Sequence, residues 1–530
     1  MSKISLEQII TKLDSEGLNF QVHLPDGHIY RSQDGLDPEL RTSSMGSLRF
    51  SGLAYNSLQS GRDYFFICKG KQFKEAYLQS AIEQGVTFYL ADKPYPIGLP
   101  CIILDKTDIR KASFYLAELF WDYPQKDLKI IGITGTKGKS STAFILKSIL
   151  DQAAEKQGLP PVGLLSTISC FDGFKSGPSD LTTPEPIELM QVLDSCRKAG
   201  LSYVIMEASS QALKYDRLTN IEFAASIFLN ISNDHISAIE HPDFNDYLAS
   251  KLKIFTQSKS AFVDSSLLAR KEVRQKLEAV PKTYTFSLTD RLADYYIVDH
   301  DELAGSGMRF KLKTPHGIID GKSPLPGIFN LQNILASSAV ADQLGLSAEA
   351  IVEGINRVKI PGRMEIFSSR DAKLNCLVDF AHNKLSFEEV FKFSKDNYPD
   401  HYLIAVFGSV GGKAKNRRAE LGQVAGRFAD LCVLTDDNAN LDDQTQINQE
   451  IAASINEGAG NWIEVQDRRA AIQEAFKLAE QTIRDREQKV LILLLGRGHE
   501  NSMMQKGKSL PYPSDIELAK AAVTRWDQDC

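Results

Sequence analysis

The stretch Gly132-Ile-Thr-Gly-Thr-Lys-Gly-Lys-Ser-Ser-Thr142 constrains this chain more than any other. It follows the apolar run Leu128-Lys-Ile-Ile131 and opens a helix-like segment, Thr142 to Leu150. Strand, glycine turn and helix start in that order make a phosphate cradle. Loop amides and the helix N-terminus point at one anion, and a lysine reaches the outer phosphates. Lys139 is that lysine, and Gly135, Thr136, Lys137 and Gly138 form the turn. Ser140 is placed to ligate a nucleotide-bound magnesium ion, with Ser141 beside it. The spacing departs from the general phosphate loop. Ile133 stands where the first glycine belongs, so Gly132 and Gly135 are expected to supply the flexibility. A nucleoside triphosphate is the first ligand implied.

The 530 residues exceed one core, and at roughly 100–200 residues per domain three domains are expected. A net charge of −7 gives no case for nucleic acid or anionic lipid. No apolar run reaches membrane-spanning length, and Met1-Ser-Lys-Ile-Ser lacks the apolar core of a signal peptide. The seven cysteines have no metal or redox spacing, which predicts reduced thiols in the cytoplasm.

Residues 1 to about 125 carry short strand-like pieces, Phe65–Cys68, Thr87–Ala91 and Cys101–Leu104, between helix-like segments Ala76–Gln84 and Ile109–Phe120. Tyr123-Pro-Gln-Lys reads as a linker. The middle third offers buried strands at Ile130–Thr134, Tyr203–Glu207 and Ala225–Asn230, in βαβ order. Pro361-Gly-Arg363 interrupts the pattern and marks a second boundary. Beyond it, Cys376–Phe380, Leu403–Gly408, Leu431–Thr435 and Val490–Leu495 alternate with helical stretches such as Ala470–Gln481, as in a small doubly wound sheet. The predicted fold class is therefore α/β. It has an N-terminal α/β domain (1–125), a central phosphate-loop ATPase-like parallel sheet (126–361) and a C-terminal Rossmann-like domain (362–530).

Chemically interesting residues recur just after these runs, where open parallel sheets bind ligands. Glu207 ends one strand and could hold magnesium against phosphates on Lys139. His235, in Asn230-Ile-Ser-Asn-Asp-His235, could ligate a metal or donate to an oxyanion. Glu500 follows Gly496-Arg-Gly-His499, whose glycines allow close backbone approach, and could accept from an ammonium group. Asp436-Asp-Asn-Ala-Asn-Leu-Asp-Asp443 is an acidic loop that favours a cationic ligand or forms a solvated Asx-rich turn. On composition alone, Lys251 in Tyr247-Leu-Ala-Ser-Lys-Leu-Lys-Ile-Phe255 is an exposed helix lysine. Two sheet ends are implied, one gripping ATP and the other completing the site.

Taken in order, Gly135-Thr-Lys-Gly-Lys-Ser140, Leu181-Thr-Thr-Pro-Glu185, Met206-Glu-Ala-Ser-Ser210, Asn230 to His235, Lys251, Gly327-Ile-Phe-Asn330, Pro361-Gly-Arg363, Val378-Asp-Phe-Ala-His382, Asp436-Asp-Asn438 and Gly496-Arg-Gly-His-Glu500 resemble the Mur ligase family across nearly the whole chain. Thr182-Thr-Pro184 with the Gly496–Glu500 run looks like its tripeptide synthetase branch. That branch extends UDP-N-acetylmuramoyl-L-alanyl-D-glutamate in cell-wall (peptidoglycan) precursor synthesis, on which cell shape and division depend. The resemblance implies that ATP phosphorylates the acceptor's carboxylate and that the acyl phosphate is attacked by the incoming amine. Lys139, Glu207, His235 and Lys251 match catalytic residues. Ser140, Glu207, His235 and Lys251 match the Mg2+ site, Lys251 as the lysine that is carbamylated in this family. Gly135 to Ser141, Asn330, Arg363 and Asp379 match ATP-binding positions. Ser57, Thr182, Thr183, Ser209 and Arg217 match contacts to the UDP-sugar peptide. Lys413, Asp437, Asn438, Asn440, Gly496 and Glu500 match the amino-acid pocket. A cytoplasmic monomer is expected.

Diaminopimelate-adding members carry Asp-Asn-Pro-Arg, whose arginine pairs with a distal carboxylate; here the run is Asp437-Asn-Ala-Asn440. Asn440 cannot make that charged pair, and losing a buried ionic partner costs roughly 2–5 kcal/mol. With Asp442 and Asp443 nearby, a distal ammonium is expected, so L-lysine is the first choice and ornithine satisfies the same argument. Departures from the family are Asn56-Ser57-Leu58 for its Asp-Ser-Arg, Gln211 for a frequent histidine and Lys413 for arginine. Lys137 and Gln211 resemble lysine-adding enzymes of streptococcal type. The rivals are meso-diaminopimelate-, D-glutamate- or folate-directed ligases of the family, and a non-catalytic nucleotide-binding relative.

Overall fold

The computed structural model of the chain describes residues 3–32, 48–70, 73–179, 181–233, 236–237, 240–303, 307–412, 415–458 and 460–529. Three α/β sheets follow one another along the chain, which bears out the predicted fold class. By packing, the chain forms two compact units. The first comprises Met1–Ala143, Leu150–Ser232 and Asn245–Phe286; the second comprises Phe144–Ile149, Asn233–Phe244 and Ser287–Cys530.

In the first unit, strands β1 (Phe20–His23), β2 (Ile29–Arg31), β3 (Gly52–Ala54), β4 (Tyr64–Ile67), β5 (Phe88–Ala91) and β6 (Cys101–Leu104) form a sheet ordered β2-β1-β6-β5-β4-β3. Its four-strand portion β6-β5-β4-β3 is parallel. Helices α1 (Leu6–Ser15), α2 (Glu75–Glu83) and α3 (Ile109–Phe120) belong to this part. Tyr123-Pro-Gln-Lys, read as a linker, is instead part of a helical turn over Pro124–Asp127, with Pro124 and Gln125 buried. The reason is Glu118, a buried carboxylate that draws in Gln125 at 2.6 Å, Lys12 at 2.6 Å and Asn220 at 3.0 Å. Such a group needs its partners close at hand.

The next sheet contributes six parallel strands to the same unit. These are β7 (Lys129–Thr134), β8 (Gly163–Leu165), β9 (Tyr203–Glu207), β10 (Phe223–Phe228), β11 (Ser260–Asp264) and β12 (Lys282–Ser287), ordered β8-β9-β7-β10-β11-β12. Apolar residues fill both faces of β7, as a doubly covered parallel sheet requires. Helices α4 (Lys139–Lys156), α5 (Pro186–Lys198), α6 (Ser210–Lys214) and α7 (Phe244–Leu252) connect the strands.

The second unit opens with an antiparallel meander of β13 (Tyr295–Glu302), β14 (Met308–Thr314) and β15 (Gly317–Ser323), followed by α8 (Ile328–Gln343) and α9 (Ala348–Asn356). It closes with β16 (Glu365–Ser368), β17 (Leu374–Asp379), β18 (Tyr402–Phe407), β19 (Leu431–Leu434), β20 (Trp462–Glu464) and β21 (Val490–Leu495), ordered β16-β17-β21-β18-β19-β20. All of these pairings but the β16 edge are parallel. Helices α10 (Lys384–Asn397), α11 (Asn416–Phe428) and α12 (Gln444–Glu457) pack on one face, and α13 (Arg468–Arg486) and α14 (Asp515–Asp529) on the other. Between α13 and α14 runs a hairpin of β22 (Ser502–Gln505) and β23 (Lys508–Pro511). No helix among the described residues is long and apolar enough to cross a membrane. The six described cysteines are free thiols.

Candidate functional site

The phosphate loop leaves β7 at Thr134 and enters α4 at Lys139. Gly138 caps the helix at φ +83°, a left-handed conformation that a side chain would strain. Gly132 does not supply flexibility as expected. It lies within β7, and a Cβ there would meet the Phe223 ring at 2.6 Å, so its role is close packing. Asn230, after β10, clamps the loop: its Oδ1 accepts from the Lys137 amide at 2.9 Å, and its carbonyl accepts from the Thr136 amide at 3.1 Å. Ser140 and Ser141 are buried in the first turn of α4.

Two ammonium groups converge on one carbonyl. Lys139 Nζ and Lys251 Nζ each donate to the Gly135 oxygen at 2.9 Å. Lys251 is not the exposed helix lysine that composition suggests. It is 1% exposed on α7, 4.8 Å from the centroid of the Tyr247 ring one turn earlier. The Tyr247 hydroxyl in turn lies 3.1 Å from Thr136 Oγ1. Two cations held close at the positive end of a helix favour an anion there.

Glu207 ends β9 fully buried, and both its oxygens accept from Thr167, from the amide at 2.9 Å and the hydroxyl at 3.2 Å. These donors are neutral, so a bound cation would compensate the carboxylate's charge. Like the Ser140 hydroxyl, its oxygens are of the hard type that magnesium takes. Among the described residues, no three His, Cys, Asp or Glu side chains form a ready metal cluster. His235 and Lys413 lie outside the described residues.

The candidate acceptor contacts gather around Glu207. Thr183 donates to the Glu207 carbonyl at 2.7 Å and accepts from the Ser209 amide at 3.0 Å. Thr182 lies 3.0 Å from Thr167, and Arg217 donates to the Thr183 carbonyl at 3.2 Å. Ser57 is buried in a helical turn after β3, where Leu58 is exposed.

In the second unit, Asn330 Nδ2 donates to the Pro326 carbonyl at 2.7 Å. Asp379 accepts from the Met364 and Ala381 amides at 2.8 and 2.7 Å, and Arg363 lies 4.4 Å over the Phe380 ring. After β19 and β21, Asp437, Asn438, Gly496 and Glu500 come together. A Cβ on Gly496 would strike Asp437 Oδ2 at 2.4 Å, so only glycine fits. Asn438 Nδ2 donates to Glu500 Oε2 at 3.3 Å. Arg497, which sequence reasoning gave no role, is fully buried, with Nη1 3.1 Å from Glu500 and 3.6 Å from Asp437. Burial raises the Glu500 carboxyl above its ordinary value, opposed by Arg497 and assisted by Asp437. Burial also raises Asp437, against the pull of Arg468 and Arg497.

The acidic loop corrects one expectation. Asp442 and Asp443 do not await a cation. Asp442 pairs with Arg418 at 2.7 Å, and Asp443 caps α12 through the Thr445 amide at 2.9 Å. Asp436 accepts from Gln505 at 2.8 Å. Asn440 fastens the β22–β23 turn, its Oδ1 accepting from the Gly507 amide at 3.1 Å. Of the acids in this loop and in Gly496–Glu500, Asp437 and Glu500 are the two that lie against Arg497.

Over 98% of its length, this chain is 34% identical to an Enterococcus faecalis protein named UDP-N-acetylmuramoyl-L-alanyl-D-glutamate--L-lysine ligase, covering 99% of that protein. The chain belongs to the Mur ligase family. Residues 133–341 match the Mur ligase middle domain, and residues 362–498 match the Mur ligase, glutamate ligase domain. A Streptococcus mutans serotype c protein of the same name is 31% identical over 98% of this chain and 99% of its own. A solved UDP-N-acetylmuramoyl-L-alanyl-D-glutamate--2,6-diaminopimelate ligase superposes with a TM-score of 0.59 at 25% identity, covering 92% of this chain and 97% of that one. Like these Mur ligases, the chain is an enzyme that joins an acid to an amine.

Proposed function

We propose that the chain is an ATP-dependent amide ligase that adds L-lysine to the D-glutamate carboxylate of UDP-N-acetylmuramoyl-L-alanyl-D-glutamate in peptidoglycan precursor synthesis. The observation that carries it is the convergence of Lys139 and Lys251 on the Gly135 carbonyl at the head of α4. Lys139, with the loop amides, receives the β- and γ-phosphates, and Lys251 stands beside it at the metal side of the site. Thr182, Thr183, Ser209, Arg217 and Ser57 hold the acceptor, and Asn330, Arg363 and Asp379 hold the nucleotide. Asp437, Asn438, Asn440, Gly496, Glu500 and Lys413 hold the incoming amino acid. Residues 1–125, 126–361 and 362–530 divide these tasks as UDP-sugar, ATP and amino-acid domains. Magnesium, when bound, neutralises phosphate charge; Ser140 and Glu207 would hold it, with His235 and carbamylated Lys251 completing the set.

The choice of L-lysine rests on charge. Asp437 and Glu500 lie against one guanidinium, Arg497, so these three side chains carry one negative charge in excess that an ammonium would balance, while Lys413 is assigned to the substrate's α-carboxylate. Asn440 is neutral and engaged with the hairpin, so it offers nothing to a distal carboxylate. A radiolabelled amino-acid panel with the UDP-dipeptide and ATP should incorporate lysine, with ornithine as a weaker substrate. Incorporation of diaminopimelate but not lysine would refute the pocket argument. Absence of both ADP and a new peptide bond would refute the ligase reading.

The pocket also predicts a pH dependence. A protonated Glu500 cannot balance an ammonium, and burial makes it protonate at higher pH than the usual glutamate value of about 4.3. The KM for L-lysine should therefore climb as pH falls toward the raised Glu500 value, while the KM for ATP stays flat. Glu500→Gln should remove the pH dependence of that limb. A limb unchanged in Glu500→Gln would assign the titration to another group.

A further inference from the structure

A polar cluster at the carboxyl ends of β3 and β4 joins Arg217, assigned above to the acceptor, to Tyr55, Lys69, Glu185 and Glu188, which have no role above. Tyr55 follows β3 directly, and Lys69 follows β4 by two positions. Lys69 Nζ bonds to Glu185 Oε2 at 2.7 Å and lies 4.2 Å from the Tyr55 ring centroid. The other oxygen of Glu185 pairs with Arg217 Nη2 at 2.6 Å. The Tyr55 hydroxyl bonds to Glu188 in the first turn of α5. The second oxygen of Glu188 is buried without a hydrogen-bond partner.

The cluster is mostly shielded from water, with side-chain exposures of 14% for Lys69, 24% for Glu185 and 16% for Arg217. Burial lowers the Lys69 ammonium below its ordinary value, with Glu185 pulling the other way. Removing Glu185 would leave the Lys69 ammonium without its carboxylate, and removing Lys69 would leave Glu185 dependent on Arg217 alone.

The position of these contacts separates them from ordinary structural pairing. They end on the loop Leu181–Glu185, which carries Thr182 and Thr183, and they start two residues before Ser57. The segments assigned to the two ends of the UDP-sugar peptide are thus joined by one charge cluster. Glu185 is shared between two cations. When Arg217 turns to an incoming carboxylate, Glu185 needs the other cation to remain paired. We propose that Lys69 is a positioning residue for the UDP-sugar peptide, holding Glu185 and its loop so that Arg217 is released to the acceptor. This rests on the function proposed above.

Steady-state kinetics and calorimetric acceptor binding on the full chain test it. Lys69→Met should raise the KM and Kd for the UDP-dipeptide about tenfold while the ATP and L-lysine KM values and kcat stay within about twofold. Lys69→Arg should recover most of the loss. Lys69→Met combined with Glu185→Gln should be no worse than Lys69→Met alone, because the two act as one unit. Additive effects, or a rise in all three KM values together, would overturn the proposal, as would wild-type acceptor binding in Lys69→Met. If Lys69→Met does not fold, Lys69→Arg and Glu185→Gln must still alter acceptor KM alone, and their failure to do so overturns it. Wild-type protein that binds the acceptor without turnover would remove the ligase reading and leave this inference standing.

Discussion

Lys139→Ala is expected to lower ADP and tripeptide formation by about a thousandfold or more, as loss of a preorganised charge at a reacting phosphate does. The side chain leaves the first residue of α4, and its Nζ already lies against the Gly135 and Thr136 carbonyls at 2.9 and 3.3 Å. It is thus held at the loop before any phosphate arrives. Its removal leaves the fold intact, because the loop is fixed independently by Asn230 and by the Thr136 amide. Acceptor binding, proposed to use Thr182, Thr183 and Arg217, should remain near wild type. Lys139→Arg should not rescue turnover, since a planar fork does not replace a compact ammonium in a tight turn. Retention of more than about a tenth of wild-type turnover in Lys139→Ala would show that this charge is not aimed at the transferred phosphate.

That loop was legible because its chemistry is contiguous: strand, turn and helix start lie within a dozen residues. The parallel strands were legible for a related reason. Strands buried on both faces appear as unbroken apolar runs, and Val490–Leu495 matches β21 end to end. The antiparallel meander was not anticipated, although Met308–Thr314 alternates buried and outward residues in the pattern of a half-buried strand. What the sequence hides is pairing at a distance. Lys69 and Glu185 are 116 positions apart, and neither stands out locally. The acidic loop shows the converse. Asp442 and Asp443 look like ligands in the sequence, yet their partners are Arg418 and the start of α12. Arg497 lies inside a motif legible in the sequence, but its burial between Asp437 and Glu500 is visible only in the structure.

Lys251→Ala should lower turnover by about a hundredfold to ten-thousandfold, and the nature of its rescue decides what Lys251 is during catalysis. Its Nζ donates to the Gly135 carbonyl and faces the Tyr247 ring, an environment that suits an ammonium. The family resemblance points instead to a carbamate, formed when the neutral amine takes up carbon dioxide and releases a proton. These alternatives have opposite charges, so they call for opposite supplements. Acetate or formate should partly restore Lys251→Ala if the working group is carboxylate-like, because the small acid can occupy the space left on α7. Methylamine should restore it if the working group is the ammonium. We expect rescue by the acids and none by the amine, with the restored rate saturating in acid concentration. Depleting bicarbonate should lower wild-type activity and leave the acid-rescued variant unaffected. Rescue by methylamine alone would leave Lys251 as a phosphate-binding cation. Full activity in the unsupplemented variant would reduce it to a packed helix residue.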